Sequence, residues 1–180
     1  MPESDTVTSE HASCFIRAAE LWLPEGDRLT SGGGDYGALD AFAETSAQTV
    51  FAHGEGLPGK AWAEGRPVVL KALDGSYFLR KQAAAEAGLT CAVAVPVFCE
   101  ATLKAVLVIF CGDADEQVGA IELWAEAGNR LHWDAGYYGA AQDFEDASKS
   151  VTFGPGEGLP GGVWSADMPV LMRTIGSHHG

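Results

Sequence analysis

An internal repeat constrains this chain more than any other feature. Shifting the sequence against itself by 102 residues aligns 19–70 with 121–172 without a gap, and 22 of the 52 paired positions are identical. The matched stretches are AELWLPEGDRLTSGGGDYGALDAF against IELWAEAGNRLHWDAGYYGAAQDF, then FAHGEGLPGKAWAEGRPV against FGPGEGLPGGVWSADMPV. Self-similarity of this kind means that one structural unit is built twice. The apolar stretch 71–113 between the copies has no counterpart after the second, so the unit is present once whole and once truncated. Three arrangements follow. The gene product continues further, or the second half-unit packs on the first or on a partner chain. In the third, the short DADE link turns strand 103–111 into strand 118–125 as a hairpin, and the second copy extends the first unit's sheet.

Within one unit, residues 14–23 are mostly apolar and lead into the turn signal PEGDRL, which predicts a strand and a partner strand over about 28–31. Gly32, Gly33 and Gly34 then read as a flexible break before ALDAFAET, and QTVFAHGEG as a strand ending in a glycine turn. LPGKAWAEG predicts a helix of about two turns stopped by Gly65. Residues 66–73 form a strand opened by Pro67, a residue tolerated at a first or edge position. SYFLRKQAAAEAG predicts a longer helix capped by Ser76 and ended by Gly88. LTCAVAVPVFCE and ATLKAVLVIFCG form an apolar hairpin turning near Glu100 and Ala101. The expected class is α+β, a central antiparallel sheet with flanking helices.

GEGLPGKAWAEGRPVVL (54–70), FLRKQAAAEAGLTCAVAVPVF (78–98) and KAVLVIF (104–110) together resemble the GAF family, in particular the GAF domains of bacterial sensor kinases. The resemblance covers about residues 12–113 and recurs, truncated, over about 119–176. It implies a GAF/PAS-like fold, with residues 1–11 as a flexible N-terminus, 12–118 as a complete domain and 119–180 as a truncated second repeat. It also implies a small-molecule pocket between the sheet and its covering helix, and signalling through a homodimer or an output protein. The asparagine-lysine signature of cyclic-nucleotide binders is missing, since Asn129 is the single asparagine, and so is the Cys-His pair that attaches a bilin.

Chemical motifs add little. GEGLPG at 54–59 fits the dinucleotide fingerprint GxGxxG, but the helix after it is too short for a crossover and no parallel βαβ unit surrounds it. Extended to GEGLPGKA, the stretch nearly fits a phosphate loop. Ala61 stands where a magnesium-binding hydroxyl belongs, and the second copy replaces Lys60 with Gly162. Cys91 and Cys99 lie eight apart on one strand, about 26 Å at the usual rise, so pairing of Cys91 with Cys111 across the hairpin is the redox version worth testing. His11, His53, His132, His178 and His179 form no zinc spacing. Neither a metal nor a cofactor is expected, and a cysteine-based free methionine sulfoxide reductase is the one enzymatic alternative to a non-catalytic module.

Eleven basic against twenty-five acidic residues give a net charge of −14, which disfavours nucleic acid and anionic membrane surfaces as partners. The acidic, polar start resembles no secretory signal, and no apolar run approaches the roughly 20 residues of a membrane helix. The four cysteines sit in or beside apolar segments, as expected of reduced, buried thiols in a cytoplasmic protein. The candidate ligand-contacting residues are Trp62, Tyr77, Phe78, Cys91 and Glu55, around the faces of strands 66–73 and 91–98. A ligand-free dimerisation or scaffold module is the alternative, with Trp124, Trp133, Tyr137, Tyr138 and Trp164 of the second copy seeking cover.

Overall fold

The computed structural model describes residues 14–75, 77–112 and 119–172. The chain divides into two compact units, one running to residue 117 and the other starting at 118. The first holds β1 (Ile16–Glu25), β2 (Arg28–Asp35), α1 (Asp40–Ala47), β3 (Phe51–Ala52), α2 (Gly56–Glu64), β4 (Val68–Leu70), α3 (Lys81–Glu86), β5 (Cys91–Cys99) and β6 (Thr102–Cys111). Its six strands form one antiparallel sheet in the order β3-β2-β1-β6-β5-β4. The class is therefore α+β, as the sequence predicts.

Local chemistry explains most of these elements. Alternate residues of β1, Ala18, Glu20 and Trp22, are buried, the two-residue period of a half-buried strand. Gly26, at φ +64, opens the two-residue turn to β2, where an L side chain is strained. The expected glycine break at 32–34 is instead part of β2. Register slips between Glu20 and Trp22, a bulge that presses the two backbones together. A Cβ on Gly34 would stand 2.4 Å from the Ala19 carbonyl oxygen, so glycine serves close approach here rather than flexibility.

Helix α1, absent from the sequence-level element order, covers 40–47 and buries Phe42 and Ser46. Helix α2 ends at Gly65 in the left-handed conformation, its N–H bonded to the carbonyls of Ala61 and Trp62. Pro67 precedes β4, which is shorter than expected and lies at the sheet's edge. The alanine-rich helix is shorter too: α3 spans Lys81–Glu86 with Arg80 in the N-cap position. The expected cap Ser76 lies outside the described residues, as do residues 1–11, 113–116, His178 and His179. Residues Phe78 and Arg80 are both buried, and their burial holds the chain in turns where propensity alone favours helix. The core joins Trp22, Leu29, Phe42, Phe51, Leu57 and Phe110 between the sheet and the helices.

The second unit holds β7 (Ile121–Ala127), β8 (Arg130–Tyr137), α4 (Gln142–Lys149), β9 (Thr152–Phe153) and α5 (Gly158–Ala166), the same element order as β1 to α2. Its strands form a separate sheet, β7-β8-β9. β7 pairs with β8, and β6 with β1 and β5, so the second copy does not extend the first unit's sheet. Its hairpin turn has both Gly128 and Asn129 at positive φ, the conformation that glycine and asparagine tolerate best.

Candidate functional site

The interior of the first unit is organised around a charged group. Glu20 comes from β1, Ser46 from the last turn of α1, and Arg80 from the residue before α3. The guanidinium grips the carboxylate with both Nη atoms: Nη1 lies 2.5 Å from Oε1 and Nη2 2.9 Å from Oε2. Ser46 donates to Oε1 at 2.6 Å and accepts from Arg80 Nη1, and Trp22 Nε1 donates to Oε2 at 3.0 Å. Each carboxylate oxygen thus accepts two bonds, which is what a carboxylate buried to 1% exposure requires.

Aromatic rings close around the cation. Arg80 Cζ lies 4.9 Å from the ring centre of Phe42, 5.3 Å from Trp22, 5.4 Å from Phe110, 5.6 Å from Phe51 and 5.7 Å from Phe78. Their negative faces favour a guanidinium and exclude water, so the charge pair is strengthened by its surroundings. Tyr36 stands close enough that its hydroxyl's pKa is raised, first by burial and then by the Glu20 charge. One donor is left over: Arg80 Nε is buried and has no hydrogen-bond partner.

An open cleft of about 390 Å³ lies over this cluster. Thr45 and Thr49 line one side, and Gln82, Ala83 and Glu86 of α3 the other, with Leu79 and Arg80 completing it. Arg80 is the buried residue of that lining. A smaller depression of about 210 Å³ adjoins it and shares Thr45, Ala83 and Glu86.

The residues singled out from sequence lie elsewhere, with one exception. Phe78 is buried in the core and faces the guanidinium. Trp62 is half-buried on α2 and packs edge-on against His53, with centres 4.8 Å apart. Tyr77 is half-buried with the Lys60 ammonium 5.4 Å from its ring centre. Glu55 is exposed, and its carboxylate accepts the Ala52 N–H at 2.9 Å, a local turn contact. Cys91 is fully buried and is the register partner of Cys111, with no disulfide joining them. Cys14 and Cys99, expected to be buried, are exposed, Cys99 because it reaches the tip of the hairpin.

Arg80, Glu20 and Ser46 were the residues that sequence reasoning missed. The signal was available: Glu20 interrupts the apolar run AELWL at a core-facing position, and Glu20, Trp22, Tyr36, Phe42, Ser46 and Phe51 all recur identically in the second copy. Among the described residues, no group of His, Cys, Asp or Glu is placed to hold a metal ion, and no helix is long and apolar enough to cross a membrane.

Comparison with known proteins gives no matching family profile and no match among curated proteins. Solved structures do match. The GAF domain of A. aeolicus nlh2 in an inactive state is 24% identical at a TM-score of 0.45, over 56% of this chain and 60% of that one. Free methionine-R-sulfoxide reductase from Neisseria meningitidis, in complex with its substrate, is 20% identical at a TM-score of 0.43, over 53% and 52%. The GAF domain/HD domain protein from Geobacter sulfurreducens is 13% identical at a TM-score of 0.46, over 54% and 63%. This chain thus spans between 52% and 63% of the length of these three structures. These are likenesses of fold, and they assign no ligand, partner or reaction.

Proposed function

We propose that the chain is a sensory or regulatory module of GAF type that acts by binding. Its first unit takes a small neutral molecule in the cleft over Arg80, and a second copy or an output protein receives the signal. The observation that carries this reading is the unpartnered Nε of Arg80. A buried donor left without an acceptor costs on the order of 1–3 kcal/mol, so an acceptor arriving through the cleft gains that much in affinity or stability. Glu20 already neutralises the guanidinium, and a second buried anion would go uncompensated in a chain of net charge −14. The ligand class is therefore a neutral carbonyl, amide or hydroxyl compound. Binding would tie α3 to α1 and shift the population of arrangements of that face.

Binding rather than catalysis is favoured by the thiols, since Cys91 and Cys111 are both sealed in the sheet and lie away from the cleft lining. The reading is tested by following the Arg80 Nε–H resonance while a panel of neutral amides and ketones is added. A saturable shift that is lost in Ala83→Trp, which fills the cleft and spares the charge cluster, supports it. An unmoved resonance across the panel opposes it.

A second reading, a ligand-free interaction module, rests on the packing of Phe78 into the core and on the exposure of the candidate residue Glu55. It predicts an Arg80 Nε–H resonance that responds to a partner protein and to no small molecule.

A further inference from the structure

The second unit repeats the carboxylate cluster of the first without its cation. Glu122, Trp124, Tyr138 and Ser148 stand 102 residues after Glu20, Trp22, Tyr36 and Ser46. The β7–β8 register repeats that of β1–β2 after the same shift, Glu122 with Gly136 and Trp124 with Trp133, including the bulge. Trp124 Nε1 donates to Glu122 Oε2 at 3.1 Å, as Trp22 does to Glu20 at 3.0 Å. Tyr138 donates to Oε1 at 2.8 Å, its hydroxyl fixed by Trp133 Nε1 at 2.7 Å. The aromatic packing follows, with Trp124 edge-on to Phe153 at 4.8 Å and Trp22 edge-on to Phe51 at 4.7 Å.

What differs is closure. Among the described residues, no ion pair engages Glu122, whereas Glu20 is held by Arg80. Phe144 is 52% exposed where its counterpart Phe42 is 1% exposed. β1 is hydrogen-bonded on both edges, to β2 and β6, while among the described residues β7 pairs with β8 alone. Eight acidic and two basic residues stand between 119 and 172, so the field around the cluster attracts a cation.

We propose that the second unit is a receptor for an arginine-bearing polypeptide segment with the chemistry of residues 77–90, whose guanidinium seats on Glu122. The carboxylate suits a planar fork, since each oxygen already accepts one bond and keeps capacity for another. The aromatic rings beside it favour a weakly hydrated guanidinium over an ammonium. The exposed Phe144 and the open edge of β7 call for apolar backbone-bearing cover, which a polypeptide supplies and a free cation does not.

The test uses the full chain with indole-labelled tryptophan, the Trp124 Nε1–H signal being assigned through Trp124→Phe. A synthetic peptide of residues 77–90 is titrated beside the same peptide carrying citrulline in place of its arginine. The expected result is a saturable displacement of the Trp124 signal by the arginine peptide at or below about 1 mM. Citrulline weakens it about tenfold or more, and so does Glu122→Gln in the protein. Equal binding of the two peptides, or no displacement by either, overturns the proposal. Equal displacement by guanidinium ion alone overturns it in favour of a small-cation site. The citrulline comparison leaves the protein untouched, so the outcome stands even if Glu122→Gln perturbs folding.

Discussion

Glu20→Gln removes the charge on which the interior of the first unit is built. The substituted amide keeps the shape but faces a guanidinium that is 5% exposed and ringed by five aromatic residues. Breaking one partner of a buried pair costs on the order of 3–5 kcal/mol, because the remaining charge is left uncompensated. Against a domain stability of roughly 5–15 kcal/mol this is a large fraction, and at roughly 4–8 °C per kcal/mol the melting transition falls by at least about 12 °C. Replacing the whole pair, Glu20→Leu with Arg80→Met, takes both charges out together. A hydrophobic pair of similar volume is often neutral or better, so the double variant is expected to be more stable than Glu20→Gln alone. Urea unfolding by circular dichroism, with hydrogen exchange of β1 and α3 to isolate the first unit, gives the free energies for a double-mutant cycle. A Glu20→Gln cost below about 0.5 kcal/mol, the level of a neutral surface change, refutes the reasoning, as does a double variant that loses as much as the two single changes added together.

Other outcomes follow from the same geometry. Gly59→Ala puts a Cβ 2.2 Å from the Ala52 carbonyl oxygen, and the backbone shift it forces should lower the chemical-denaturation midpoint by an amount equivalent to about 1–3 kcal/mol. A thiol reagent under native conditions should modify exposed Cys14 and Cys99 quickly, and Cys91 and Cys111 only at the rate of unfolding, as read by peptide mass mapping. Glu157 accepts the Gly154 N–H and then the Arg130 guanidinium, which lowers its folded-state pKa below 4.5. Its contribution is therefore present above about pH 4.5 and lost as pH falls through the lowered value. Glu157→Gln should flatten the acid limb of the second unit's stability in a pH series followed by hydrogen exchange.

Much of the architecture was legible because it depends on local chemistry. The apolar hairpin over 91–111, the glycine-stopped α2 and the edge strand after Pro67 follow from pattern and turn residues that the fold leaves in place. The errors fall where long-range packing overrides local preference. Arg80 and Phe78 are drawn into the core and shorten an alanine-rich helix, and a bulge in β1 turns three glycines from an apparent break into strand. The candidate site was missed for a related reason. A charged residue in an apolar run reads as an exposed position, and what buries Glu20 is an arginine 60 residues away. The repeat held the missing information, since the polar identities Glu20, Tyr36 and Ser46 mark positions that a merely solvated surface does not require.

Native mass spectrometry of the freshly purified full chain tests the central claim most directly. The account predicts a one-to-one adduct of a small neutral molecule on the wild-type protein that is absent from Ala83→Trp. An unliganded wild-type chain under gentle ionisation, or an adduct that Ala83→Trp retains, contradicts it.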